Sequence, residues 1–177
     1  MKNIFVINGS ADENSSNKKL IDHIAAESKD LFSISIFNEL KSLPHFDPAL
    51  SINNTPKIIS DFRNKIENAN GVIICTPEYV FSIPSGLKNA IEWCVSTTVF
   101  SDKPTGLITA SASGEKGHEE LQLIMQTLTA KTSNDASLLI KGIKGKIDDH
   151  GTITDSKTAQ GLRGFITAFN RLVTDGD

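Results

Sequence analysis

Short runs that are apolar on both faces alternate along this chain with longer segments whose apolar positions recur every three or four residues. Ile4-Phe5-Val6-Ile7, inside segment 3–8 and ended by Gly9, is the first such run, and Val72-Ile73-Ile74-Cys75 is another. A strand apolar on both faces is covered on both sides, which is the mark of a parallel sheet. Segments 31–37, 105–110 and 136–140 are read as the remaining strands. Between them lie helices. Leu20, Ile21, Ile24 and Ala25 recur at helical spacing within 15–28, with serines ahead of them as start signals. Thr55-Pro56 opens a helix lined by Ile58, Ile59, Phe62 and Ile66 and ended by Gly71. Segments 85–95, 118–131 and 155–173 complete the set, and 143–154 reads as a loop turning at Gly151. The longest connection, 37–54, reads as a proline-bearing loop. A long loop in a compact domain is either a surface excursion or functional. Strand and helix in alternation predict right-handed crossovers and an α/β fold with an open parallel sheet. With no linker or repeat, segment 1–177 is expected to be one domain.

Composition narrows the function. The chain has 177 residues, and at that size about 70% of the unfolded surface can be buried, enough for one core without staples. Eighteen Lys and Arg against 21 Asp and Glu give a net charge of −3. That excludes a basic protein built around nucleic acid and argues against a polybasic membrane anchor. Two cysteines, Cys75 and Cys94, both in apolar segments, suit a reduced chain. The apolar run at the start is too short for a secretory signal, so the expectation is a cytoplasmic protein with no membrane span. His23, His45, His118 and His150 are far apart and have no ligand spacing. No metal is expected, and His118 reads as a surface residue.

In an open α/β sheet, ligands bind at the carboxyl ends of the strands. Three loops lie there. The first, Gly9 to Asn17, joins a strand to a helix start, where unpaired N–H groups and a positive dipole suit a phosphate. Ser10, Ser15, Ser16 and Asn17 add neutral donors, although serines there can also simply cap the helix. The loop is neither a GxxxxGK[ST] nor a GxGxxG motif, which disfavours an NTPase and a Rossmann dehydrogenase. The second loop runs from Thr76 through Pro77, Glu78, Tyr79, Val80 and Phe81 to Pro84, and continues as Ser85-Gly86-Leu87-Lys88-Asn89-Ala90-Ile91-Glu92-Trp93. The third holds Ser111, Ser113 and Gly114.

The second stretch resembles the TPEYNxSxPGxLKNAIDW signature of the NADPH-dependent FMN reductases, a family that includes quinone and azo-dye reductases. The first loop is similar to GSxRxxSxN, and Asp148-Asp149-His150-Gly151-Thr152-Ile153-Thr154-Asp155 to the family's tail segment. The resemblance covers essentially the whole chain. It implies a flavodoxin-like three-layer sandwich, a five-stranded parallel sheet with helices on both faces. It implies FMN as cofactor, with Ser10, Ser15, Ser16 and Asn17 at its phosphate. Pro77, Glu78, Tyr79 and Val80 would lie along the flavin ring, largely through main-chain atoms, with Ser111, Ser113 and Gly114 at the ring's polar edge. It also implies NADPH or NADH as co-substrate, a small-molecule electron acceptor and a homodimer or homotetramer. The chemistry would belong to the cofactor, so no catalytic side chain is expected. Trp93 is better explained by packing. Glu78 fits a solvated carboxylate equally well, and Lys88 and Asn89 fit a bracing role. Phe81, Val99 and Phe100 suit either an interface or the core.

Three positions depart from the family pattern. Asp12 stands where arginine is usual, changing the local charge by two units, and Glu13 makes the loop more acidic; Lys18 and Lys19 are candidate compensators. Val80 replaces an asparagine, and Ser85-Gly86 replaces a Gly-x pair. The acidic loop keeps two other readings open: a flavodoxin-type electron carrier, and a binding or regulatory member that has lost its flavin.

Overall fold

The computed structural model describes residues 1–12 and 14–175. Glu13 lies outside them. Five parallel strands, β1 (Lys2–Asn8), β2 (Phe32–Phe37), β3 (Gly71–Thr76), β4 (Thr105–Ser111) and β5 (Ser137–Lys141), form one sheet in the order β2-β1-β3-β4-β5. This is the doubly wound flavodoxin order, whose direction reverses between β1 and β3. Register is continuous across the centre: Val6 sits opposite Ile36 on β2 and Ile73 on β3.

The helices are α1 (Ser16–Glu27), α2 (Pro48–Ile52), α3 (Lys57–Asn68), α4 (Ser85–Glu92), α5 (Glu115–Thr127) and α6 (Ser156–Thr174). Alternating strand residues feed two cores. Phe5, Ile7, Val72, Ile74 and Leu107 pack with α3, α4 and α5, while Ile4, Val6, Ile73, Ile108 and Ile140 pack with α1 and α6. That two-sided burial is why the central strands carry unbroken apolar runs.

Three sequence readings shift. The 37–54 connection contains a 3-10 turn, Leu40–Ser42, and α2, which starts where the Asp47 carboxylate accepts the N–H groups of Ala49 and Leu50. An acidic cap followed by proline is a helix start, here hidden inside an apparent loop. Gly71 does not end α3, which stops at Asn68. It begins β3, where a Cβ would lie 2.9 Å from Val173 and 3.0 Å from Phe169. The fourth helix segment starts at Glu115 rather than His118.

The long connection is pinned to α3 and α4. Trp93 Nε1 and Asn89 Nδ2 both donate to the Pro44 carbonyl, at 2.8 and 2.9 Å, and Asn89 Oδ1 accepts the Phe46 N–H. Arg63 donates to the carbonyls of Ser51 and Trp93. Trp93 is fully buried, as its packing role requires, and Asn89 is a brace for this connection. Val99 and Phe100 belong to the core, whereas Phe81 is exposed.

Candidate functional site

The carboxyl ends of β1, β3, β4 and β5 open into a cleft of about 690 Å³, inside the roughly 300–1,000 Å³ range of small-molecule sites. Ser10, Asp12, Asn14, Ser15, Ser16 and Asn17 form one wall. Pro77, Tyr79 and residues 110–112 form the next, and 142–145, after β5, close the far side.

The first wall is the start of α1. Ser15 is its N-cap, and its hydroxyl oxygen accepts the Lys18 N–H at 3.2 Å. The N–H groups of Ser16 and Asn17 have no intrahelical acceptor, and the cap does not reach them. They face the positive end of the helix dipole, with hydroxyls beside them. Asn17 is itself buried. Its amide donates to the Ala110 carbonyl at 3.1 Å, so its side chain ties α1 to β4. Cys75 lies beneath, its thiol 3.4 Å from Asn17 Oδ1. Burial pushes that thiol's pKa far up, so it is no nucleophile. Asp12 is exposed, and its carboxylate accepts the Asn14 N–H at 2.9 Å. Lys18 and Lys19 do not answer it. Lys18 pairs with Asp22, and Lys19 donates to the Asp148 carbonyl at 3.1 Å.

The second and third loops are joined by two carboxylates running in opposite directions. Glu78 reaches across to the start of α5, where its two oxygens accept the N–H groups of Gly114, at 3.0 Å, and Gly117, at 2.8 Å. Gly114 is the N-cap, has φ +85° and has no side chain of its own, so the cap is supplied from the neighbouring loop. In return, Glu120 of α5 accepts the Ser82 hydroxyl at 2.6 Å and the Ile83 N–H at 2.9 Å. The approach is close at Gly117, where a Cβ would sit 3.2 Å from Glu78 Cβ. Between the clamps, Tyr79 and Ser82 exchange two backbone bonds around Val80 and Phe81, which have φ of 52° and 59°. A β-branched residue is strained there, whereas asparagine tolerates it.

Of the residues expected at the cofactor, Ser10, Ser15, Ser16, Asn17, Pro77, Tyr79 and Ser111 line the cleft. Glu78, Val80, Ser113 and Gly114 do not. The Glu78 carboxylate caps α5, Gly114 is buried beneath it, and Val80 and Ser113 face solvent. His118 is not a surface residue. It is buried, with Nδ1 2.8 Å from the Thr109 hydroxyl and Nε2 3.0 Å from that of Ser137, and burial lowers its pKa. The wall at 142–145 escaped sequence reading. Its one available signal was its position directly after the fifth strand. Among the described residues no group of three or more His, Cys, Asp or Glu side chains is arranged to hold a metal, and no helix is long and apolar enough to cross a membrane.

A flavodoxin-order sheet whose switch point opens into a cleft with a serine-rich helix start on one side and a proline-stiffened loop on the other is the layout of a flavin-dependent oxidoreductase. The model of the NADPH-dependent FMN reductases matches residues 2–143, and the chain belongs to that family. It is 31% identical over 140 residues to an NAD(P)H:quinone oxidoreductase of Solanum tuberosum, covering 76% of this chain and 72% of the relative. It is 29% identical over 179 residues to a 2-hydroxy-1,4-benzoquinone reductase of Burkholderia sp, covering 97% and 96%. Among solved structures, the flavoenzyme NAD(P)H:(acceptor) oxidoreductase FerB of Paracoccus denitrificans superposes with a TM-score of 0.87, covering 99% of this chain and 98% of that one at 24% identity; this likeness speaks to the fold.

Proposed function

We propose that this protein is an NAD(P)H-dependent reductase that holds FMN across the cleft and reduces a small acceptor of the quinone or flavin kind. The observation that carries the reading is the start of α1. Two N–H groups that have no acceptor among the described residues, the Ser10, Ser15 and Ser16 hydroxyls and a positive dipole lie together at one wall of the cleft. A phosphate dianion satisfies all of them. On the adjoining wall, Pro77, Tyr79 and Ala112 offer largely apolar surface to a ring system. The residues present therefore fit FMN, with Asp12 as the one element that opposes it.

Bound FMN supplies the redox chemistry, taking hydride from a nicotinamide and giving it up to the acceptor. The protein's part is to hold, orient and exclude. The Glu78 and Glu120 clamps keep the second and third loops at a fixed separation. No acid or base side chain is required. We further read the working form as a homodimer or homotetramer, because the Val80–Phe81 tip is 94% and 75% exposed and apolar tips of this kind suit an interface. The two buried free cysteines suit a reducing compartment, the cytoplasm.

Purified protein titrated with FMN should quench flavin fluorescence at micromolar levels. With a quinone present it should oxidise NADPH or NADH faster than either nucleotide reacts with free FMN alone. Flavin binding without turnover of either nucleotide would favour an electron carrier; failure to bind flavin would leave only a binding module on this fold.

A further inference from the structure

We propose that Lys144, on the strap after β5, supplies the counter-charge for the cofactor phosphate that the first loop of this chain lacks. The inference rests on the FMN reading above and goes beyond it in naming which cation replaces the missing guanidinium. Among the described residues, two formal charges line the cleft, Asp12 and Lys144. Asp12 repels a phosphate. The nearest basic residues in sequence are committed elsewhere, Lys18 to Asp22 and Lys19 to the Asp148 carbonyl and, at 3.9 Å, to the Asp149 carboxylate. Lys141 is paired with Glu115. Lys144 is exposed, and among the described residues it has no ion pair and no hydrogen bond from its ammonium.

Its backbone is nevertheless well fixed. Gly142, with φ +64°, turns the chain and donates its N–H to the carbonyls of Ser111, at 2.8 Å, and Ala112, at 3.1 Å. The 3-10 turn Ile143–Gly145 follows, and Ile143 is buried in the core beneath α1 and α6. Further along, Lys19 of α1 holds the strap by the Asp148 carbonyl. The strap is thus tied on one side to the third loop and on the other to the first turns of α1. A four-carbon stem on such a base carries a cation at the wall of the cleft, on a strap that is itself tied to α1 through Lys19. A lysine ammonium is a point charge that needs no bidentate geometry, so it can serve a phosphate from this direction.

The test is flavin titration by fluorescence with two probes, FMN and riboflavin, which lacks the phosphate. Wild-type protein, Lys144→Gln and Lys144→Arg are compared at low and at physiological salt. Lys144→Gln should weaken FMN binding about tenfold at low salt and less at higher salt. Riboflavin binding should be unchanged, which also shows that the variant is folded, and Lys144→Arg should retain most of the FMN affinity. The proposal is overturned if Lys144→Gln binds FMN within twofold of wild type, or if riboflavin weakens by the same factor as FMN. In either case the FMN reading still stands. Wild-type protein that binds no FMN would overturn that reading and this inference with it.

Discussion

Removing the Glu78 carboxylate should loosen the cleft although that carboxylate does not line it. Glu78 accepts two backbone N–H groups at 3.0 and 2.8 Å from the first turn of α5, whose N-cap is a glycine with nothing to offer. Hydrogen bonds to an ionised acceptor contribute about 1.5–3 kcal/mol each, and a carboxylate at a helix start adds roughly 0.3–1 kcal/mol. Glu78 is only half-buried, so water compensates part of the loss. We therefore expect Glu78→Ala to cost about 2–3 kcal/mol. In a chain of this length that lowers the unfolding midpoint by about 4–12 °C. Glu78→Gln should recover at most about 1 kcal/mol, because its amide keeps one acceptor but turns an NH2 group toward the second N–H. Urea unfolding followed by the fluorescence of Trp93, the only tryptophan and fully buried, reads the change directly. Glu120 holds the same two loops from the other side. The Glu78→Ala and Glu120→Ala losses should therefore be coupled by at least about 0.5 kcal/mol in a double-mutant cycle. A Glu78→Ala protein within about 0.5 kcal/mol of wild type, with the two losses strictly additive, would refute the clamp.

Other consequences can be checked separately. Val80→Asn should stabilise the protein by about 1 kcal/mol, measured by the same urea titration, because it relieves a β-branched residue at φ 52° while leaving an exposed site exposed. Asp12→Asn keeps an acceptor for the Asn14 N–H but removes the charge that opposes a phosphate; FMN affinity should rise several-fold at low salt, with riboflavin affinity unmoved. Burial holds the His118 pKa below its ordinary 6.5. Above 6.5 both states are neutral and nothing is lost, whereas as pH falls through 6.5 the unfolded chain takes up the proton first and stability declines until the folded pKa is reached. Urea midpoints measured from about pH 7.5 down to 5 should fall more steeply for wild type than for His118→Gln; parallel curves would show that His118 is not the cause.

The sheet was legible because its central strands are buried on both faces, which leaves a pattern that needs no tertiary information: Ile4 to Ile7 and Val72 to Cys75 read correctly to within a residue or two. Elements whose signals are shared with loops were not legible. Asp47-Pro48 starts a five-residue helix inside what the sequence presents as a connection, and Gly71 is punctuation in sequence but a close-packed strand start in space. The orientation of Glu78 was equally hidden. Its partners are backbone N–H groups of Gly114 and Gly117, and no residue type records such a contact. His118 reads as polar surface until the Thr109 and Ser137 hydroxyls are brought to its two ring nitrogens.

The charge balance of the cleft shows where a one-dimensional reading stops. Asp12 is conspicuous in sequence, and the search for compensation naturally turns to Lys18 and Lys19, its near neighbours. Helical geometry disposes of both. Lys18 meets Asp22 one turn on, the favoured i, i+4 partnership, and Lys19 points sideways to the strap. Among the described residues, the cation at the cleft with no ion pair comes from more than a hundred residues downstream, and only the placing of β5 beside β4 brings it there. In a doubly wound sheet the loops that share a ligand come from different crossovers. A charge lost from one of them can therefore be replaced from another, with no local trace in the sequence around either position. It follows that a departure from a family motif within the first loop is weak evidence for loss of the ligand until every loop at the same edge of the sheet has been examined for the missing charge.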